Sequence, residues 1–364
     1  MAPSSPEGNP SGLRTVVLTR FSAFGDVAMT IPVVYSACHC YPGVRFVMVT
    51  RPSMTSMFVN PPDNLVVASY DVRGDYAGLP GIRRMAADIC SRYKPDHLID
   101  LHNVLRTRML AFFMKLKGVP SVHIFKPRAN RRALTRRHNK VMLPLTSQRA
   151  FYREAFFKAG LPLRDKFDGL YDGREGAPDS LYAAITAAKP VGERWIGIAP
   201  FAAHAGKIYP PELMKKVVAR IQDDADRGVR LRVFLFGGGE AEREVLESWA
   251  SDFGCATSLA GKRYGFAAEL ALLNHLDVML TMDSANMHLS ANAGTPTLSI
   301  WGATHPYCGF KGWRQSDADT IQLPMACRPC SVFGDKPCFR GDYLCLGAIK
   351  PEVVYQRLME KLHS

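Results

Sequence analysis

No apolar run in these 364 residues approaches the length needed to cross a bilayer, so a membrane-spanning helix is not expected. The opening MAPSSPEGNPSG lacks both a basic start and an apolar core. Residues 1–12 are therefore expected to be a disordered leader and not a signal peptide. No G-x-G-x-x-G follows the first strand-like run, which disfavours a dinucleotide-cofactor site. The densest basic run, residues 126–140, has no interleaved aromatics, which ranks a nonenzymatic nucleic-acid or anionic-surface binder low. Acid is scarce in the first half. Residues 1–170 hold 25 Lys/Arg against 11 Asp/Glu, a balance of +14, whereas residues 171–364 hold 21 against 22, a balance of −1. The whole net charge of +13 thus sits in the first half, which should face something anionic.

What is present is a globular composition, 47% hydrophobic and 22% charged, in a chain that suits two domains. Strand-like runs at 13–20, 44–50, 64–70 and 97–102 alternate with helical runs, notably 79–93 and 104–117. Pro32 should delay or kink the first helix. A helix resumes at 151–159, and the Gly/Pro/Asp-rich span 168–180 reads as a passage between domains. Alternation then restarts, with strands at 194–201, 232–239, 255–261, 278–284 and 297–303. Helices are expected at 211–224, 240–252, 266–276, 284–293 and 351–362. This pattern predicts an α/β fold of two doubly wound parallel sheets. The expected divisions are 13–180, 181–350 and a closing helix 351–364 that could pack back on the first domain.

Several turns stand where strand becomes helix. In RFSAFGD, Asp26 follows the first strand, where it could accept a proton or simply cap a helix. In TMDSANMHLSANAG, Asp283 and Ser284 open a short helix whose free N–H groups suit a phosphate, although capping explains them equally well. Lys207, in PFAAHAGKIYP, is either a phosphate ligand or a solvated surface lysine. His102 and Arg106, in DLHNVLRTR, end a strand or begin a helix. Cys327, Cys330, Cys338 and Cys345 begin as C-x-x-C and continue at wider spacing; a structural zinc is one reading, and a cytosolic disulfide is disfavoured.

Taken together, R-x-S-x-x-G-D near the start and D-S-A-x-x-H-L-x-A-x-A-G-T-P-T about 260 residues later resemble glycosyltransferase family 9, the heptosyltransferases. The resemblance spans nearly the whole chain. It implies the GT-B architecture, two Rossmann-like domains facing a central cleft. Asp26 would be the general base, with Arg20, Ser22, His102, Arg106 and the run Arg131, Arg132, Arg136 and Arg137 toward the acceptor. Lys207, Glu240, Asp283, Ser284, Ala285 and His288 would hold the donor. Ala285 replaces the usual Gly, Ala202 and Ala203 replace hydroxyl residues, and Tyr209 replaces a Trp. The implied activity is inverting transfer of heptose from ADP-heptose to a phosphorylated lipopolysaccharide inner core. No cofactor would be required, and the site of action would be the inner face of the cytoplasmic membrane. Another nucleotide sugar on the same fold is the alternative, and nucleic acid is not an expected partner.

Overall fold

The computed structural model describes residues 12–171 and 176–363. The expected leader therefore lies, all but Gly12, outside the described residues. The chain segregates into two compact units, Met1–Lys126 with Gln148–Asp168, and Pro127–Ser147 with Gly169–Ser364.

The first unit is built on a five-stranded parallel sheet. Its strands are β1 (Thr15–Thr19), β2 (Arg45–Thr50), β3 (Leu65–Ser69), β4 (His97–Asp100) and β5 (Ser121–His123), in the order β3-β2-β1-β4-β5. Register pairs Val17 with Val47 and Leu18 with Ile99. Val16, Val17, Leu18, Phe46, Val47 and Met48 are all fully buried, as near-continuous apolar runs must be when helices cover both faces. The helix Gly78–Tyr93 supplies one cover, burying Ile82, Met85, Ala86, Ile89 and Tyr93 at helical spacing. The expected disturbance at Pro32 takes the form of two helices, Phe24–Ala28 and Ile31–Cys40, with the proline in the first turn of the second. β5 is three residues long and was not foreseen.

The second unit carries six parallel strands: β6 (Arg194–Ala199), β7 (Leu231–Leu235), β8 (Ala256–Ser258), β9 (Val278–Met282), β10 (Thr297–Ile300) and β11 (Thr320–Ile321). Their order is β11-β10-β9-β6-β7-β8. Ile196, Ile198, Val233, Leu235, Leu280 and Ile300 form the core with Met214, Val217, Val218 and Ile221 of the helix Pro211–Asp226. Each such side chain contributes about 1.5–3 kcal/mol of burial.

The closing helix Pro351–Leu362 belongs to this second unit, a correction to its expected return to the first. Its buried face, Val354, Leu358 and Leu362, is occupied by the second core, against the helix Pro211–Asp226 and β9. The basic run also joins the second unit from Pro127 onward. Part of it forms the helix Arg128–Thr135, and Lys140 Nζ donates to the Cys327 and Pro329 carbonyls at 2.7 and 2.8 Å.

Candidate active site

Each sheet reverses its strand order once, at β1/β4 in the first unit and at β6/β9 in the second. Ligands of open α/β sheets bind beyond the carboxyl ends of strands at such points. Asp26, Arg20, Ser22 and His102 fall at the first of these places and Lys207, Asp283 and Ser284 at the second, whereas Glu240 and the arginines of the basic run lie elsewhere.

Beyond β1, Arg20 is buried and its guanidinium is fully directed. Nε donates to the Ser22 carbonyl at 2.9 Å, and a terminal nitrogen donates to the Leu101 carbonyl at 2.6 Å. The other terminal nitrogen pairs with Asp26 Oδ2 at 2.9 Å. Ala23, at the N-cap of Phe24–Ala28, has no side-chain oxygen to offer, and the Asp26 carboxylate reaches back to its N–H at 3.3 Å. Asp26 is thus a first-turn acid at a helix start, not the N-cap itself. Both contacts use Oδ2, leaving Oδ1 without a partner among the described residues. Tyr152 closes this corner, its ring 5.8 Å from the Arg20 guanidinium and its hydroxyl donating to the Asp26 carbonyl at 3.3 Å.

His102 follows β4. Phe21 N–H donates to its Nδ1 at 3.5 Å, which assigns the proton to Nε2, facing Ser22 Oγ at 3.3 Å. Burial first, and then the Arg20 charge, push this imidazole down to about 4, so it is neutral near pH 7. Its loop is fixed by Asp100, a buried carboxylate to which the sequence reading gave no role. Asp100 accepts from the N–H groups of His102 and Asn103 at 2.8 and 2.9 Å and from His123 Nδ1 at 2.9 Å. Burial acts to raise its pKa, but the bonds from His123, Asn103, Thr107 and His102 outweigh it, and the net shift is downward.

Arg106 lies half-buried as the second residue of the helix Leu105–Lys115. Arg51, just past β2, has its pKa lowered by burial and by the charges of Arg73 and Arg106, so these three cations share one neighbourhood. Its Nε is buried without a hydrogen-bond partner among the described residues. Arg51 and Arg73 escaped the sequence reading because a single arginine after a strand carries no motif.

In the second unit, Lys207 Nζ and Asp283 Oδ2 stand 2.9 Å apart, one beyond β6 and the other beyond β9. The Lys207 turn is pressed against the chain after β10: Gly206 O accepts from Ala303 N–H at 2.7 Å, and a Cβ on Gly206 would lie 2.8 Å from that of Ala303. Ser284, not Asp283, is the N-cap of the helix Ala285–Ala293. Its hydroxyl is 3.2 Å from that of Thr281. Ser284 and Ala285 are half-buried, His288 is buried within the helix one turn further on, and Gly294 ends it at φ 90°. Tyr209 is a core residue whose hydroxyl donates to the Ile349 carbonyl at 2.8 Å.

Glu240 opens the helix Glu240–Asp252 beyond β7, exposed and paired with Arg243. Its neighbour Glu242 takes the Gly238 N–H at 2.7 Å. The four arginines of the basic run differ in setting. Arg131 lies over the rings of Phe310 and Phe333 at 5.4 and 5.6 Å, and Arg137 lies 5.9 Å over Phe339. Arg132, Arg136 and Arg137 are exposed. Among the described residues no three His, Cys, Asp or Glu side chains are gathered to hold a metal ion. A structural zinc was one reading of Cys327, Cys330, Cys338 and Cys345, and all four are free thiols. Cys330 Sγ turns instead to the Cys327 carbonyl at 3.2 Å. Cys338 faces the N–H groups of residues 340–343, which outweigh burial and lower its pKa.

The family model described as glycosyltransferase family 9 (heptosyltransferase) matches residues 82–336, a span that holds Lys207, Glu240 and Asp283 but not Arg20–Asp26. A curated relative, lipooligosaccharide heptosyltransferase 2 of Campylobacter jejuni, is 24% identical over 177 residues, 48% of this chain and 52% of that protein. The match thus spans about half the length of the curated relative. Among solved structures, a family 9 glycosyltransferase from Veillonella parvula superposes with a TM-score of 0.69 at 18% identity, covering 96% of this chain and 97% of the other. The E. coli ADP-heptose lipopolysaccharide heptosyltransferase II gives 0.65 at 15%, covering 96% and 98%. E. coli heptosyltransferase WaaC, solved with ADP, gives 0.63 at 15%, covering 95% and 99%. The two parallel sheets are those of the GT-B fold.

Proposed function

The chain belongs to glycosyltransferase family 9, the heptosyltransferases, and on that premise we propose that it transfers heptose from ADP-heptose to a phosphorylated lipopolysaccharide inner-core acceptor. The observation that carries this reading is the paired placement of Asp26 and Lys207 at the two strand-order reversals. Asp26 serves the acceptor. Arg20 holds Oδ2, and Oδ1 takes the proton as the acceptor hydroxyl attacks the anomeric carbon. The anomeric C–O bond to the diphosphate breaks in the same displacement, which inverts the centre. Lys207 serves the donor: its ammonium and the N–H groups opening Ala285–Ala293 take up charge on the departing diphosphate. Glu240 receives the ribose hydroxyls, and Ser284 and His288 line the phosphate turn.

Arg106, with Arg51 and Arg73, offers charge to acceptor phosphates. Exposed Arg132, Arg136 and Arg137 draw the enzyme to an anionic cytoplasmic membrane surface. Among the described residues no helix is long and apolar enough to cross that membrane. The proposed transfer takes its positive charge from Lys207 and the helix start, so the cysteine segment has no part in it.

A thermal-shift panel of ADP-, UDP- and GDP-sugars and nucleic acid tests the reading. ADP-heptose should raise Tm most; a larger rise with another nucleotide sugar would keep the fold and replace the donor. Stabilisation by nucleic acid alone would overturn the enzyme assignment to this substrate class.

A further inference from the structure

The helix Leu105–Lys115 of the first unit is apolar on two opposite faces. Thr107, Leu110, Ala111 and Met114 form the buried face, packed against the helix Gly78–Tyr93 and β4. On the other face Leu105 is 76% exposed, Phe112 58% and Leu116, the helical C-cap, 69%. At about 100° per residue these three fall within about 40° of one another, with half-buried Met109 at the edge of the stripe. Single exposed apolar side chains are ordinary on a soluble surface, whereas an aligned row of large ones marks a face that something else covers.

The charge around this stripe is of one sign. Arg108 and Lys115 are exposed and lie within about 60° on one side of it, and exposed Lys117 follows the helix. No Asp or Glu occurs from residue 101 to residue 153. The neighbouring helix Gly78–Tyr93 adds exposed Arg83, Arg84 and Arg92. Its single acid, Asp88, is half-buried and accepts the Tyr70 hydroxyl.

That combination selects the occupant. A second copy of the chain meeting stripe on stripe would bring Arg108 and Lys115 against their own copies, with no acid on the helix to offset them. An anionic bilayer satisfies both features. Its acyl boundary takes the apolar side chains, and its headgroup phosphates take the flanking cations. Long Arg and Lys stems keep their charge among the headgroups while the stripe goes deeper. The helix has 11 residues, too few to span a bilayer, and its buried face ties it to the sheet. It would therefore lie in the plane of the interface.

We propose that Leu105, Phe112 and Leu116 insert into the headgroup–acyl boundary of an anionic lipid bilayer, with Arg108 and Lys115 on its phosphates. This rests on the membrane-surface reading above and deepens it. Charge alone draws the basic run of the second unit to lipid; here a second, apolar contact belongs to the first unit.

Vesicles of equimolar phosphatidylglycerol and phosphatidylcholine, with pure phosphatidylcholine as control, test the inference on the full chain. The added tryptophan of Phe112→Trp, read against the four native ones in wild type, should shift to the blue on the mixed vesicles. Lipids brominated on the acyl chain should quench it. Phe112→Ser combined with Leu116→Ser should weaken binding to the mixed vesicles tenfold or more, with Tm kept because both side chains are exposed. An unquenched Phe112→Trp protein would overturn the proposal, as would wild-type vesicle binding by the double serine variant. A wild-type dimer that the double serine variant abolishes in analytical ultracentrifugation would overturn it too, since a second copy would then cover the stripe. The two readings separate on the same samples. Vesicle binding without quenching sinks the stripe and leaves the membrane reading, whereas no binding of wild type to the mixed vesicles sinks both. Binding that survives Arg132→Ala with Arg136→Ala, but not the double serine change, removes the basic run and leaves the stripe standing.

Discussion

The two strand-order reversals carry the same device with opposite polarity. Each holds one cation and one carboxylate 2.9 Å apart. In the first unit the arginine side chain is 7% exposed and its aspartate 22%; in the second the lysine is 16% exposed and its aspartate 5%. The buried partner is in each case the one that orients, and the more exposed partner is the one available to a ligand. The first unit therefore presents a carboxylate suited to taking a proton, and the second presents an ammonium suited to a phosphate. Guanidinium geometry fits the orienting role, since Arg20 spends its other donors on two carbonyls. An ammonium on a flexible stem fits the role of following a diphosphate as it gains charge.

The comparison breaks first at Asp26. Asp26→Asn should lower kcat by about 10²–10⁴, the usual weight of a general base, and should also lower Tm, because Asn can still accept the Ala23 N–H but leaves buried Arg20 without its carboxylate. A variant with normal turnover would leave Asp26 a structural acid of the first turn. Lys207→Ala should lose on the order of 1.5–3 kcal/mol of nucleotide affinity, the worth of a charge-assisted contact. Calorimetry with ADP reads this directly.

A pH series sharpens the account of the first unit. Because His102 titrates near 4 when folded and near 6.5 when unfolded, the unfolded chain binds the extra proton first. Its contribution is fully present above about 6.5 and is lost as pH falls toward 4, with an upper bound of about 3 kcal/mol. Denaturant melts of wild type and His102→Gln across pH 4–7 should converge at the acid end; parallel curves would mean that His102 is not held neutral.

The smallest effects concern the basic run. Removing Arg132 or Arg136 should cost roughly 1 kcal/mol each in binding anionic vesicles and leave Tm alone. Arg131→Ala should instead lower Tm, since its charge lies between two rings, a contact worth about 0.5–2 kcal/mol. Vesicle sedimentation and thermal melts on the three variants separate these roles.

The fold was legible because its cues are local and repeated. Apolar runs such as VVL and FVMV alternate with helical spacing, and the restart of that alternation after 168–180 marks the second sheet. The short strands were not legible. Ser121–His123 and Thr320–Ile321 are too brief to show a period, and their pairing with β4 and β10 defines them. Asp26, Lys207 and Asp283 were visible as residues at strand ends, but which partner would be buried was not, because that depends on what packs over them. Asp100 was missed for the same reason: a single charged residue gives no sign of burial until the N–H groups around it are placed. The basic run was visible as charge, yet its sequence could not show that Arg131 points inward while Arg132 and Arg136 face outward.

The most direct test is one calorimetric titration of ADP into wild type, Asp26→Asn and Lys207→Ala. The opposed polarity of the two reversals predicts wild-type affinity for Asp26→Asn and affinity lowered tenfold or more for Lys207→Ala. Equal losses in both variants, or a loss confined to Asp26→Asn, would contradict it.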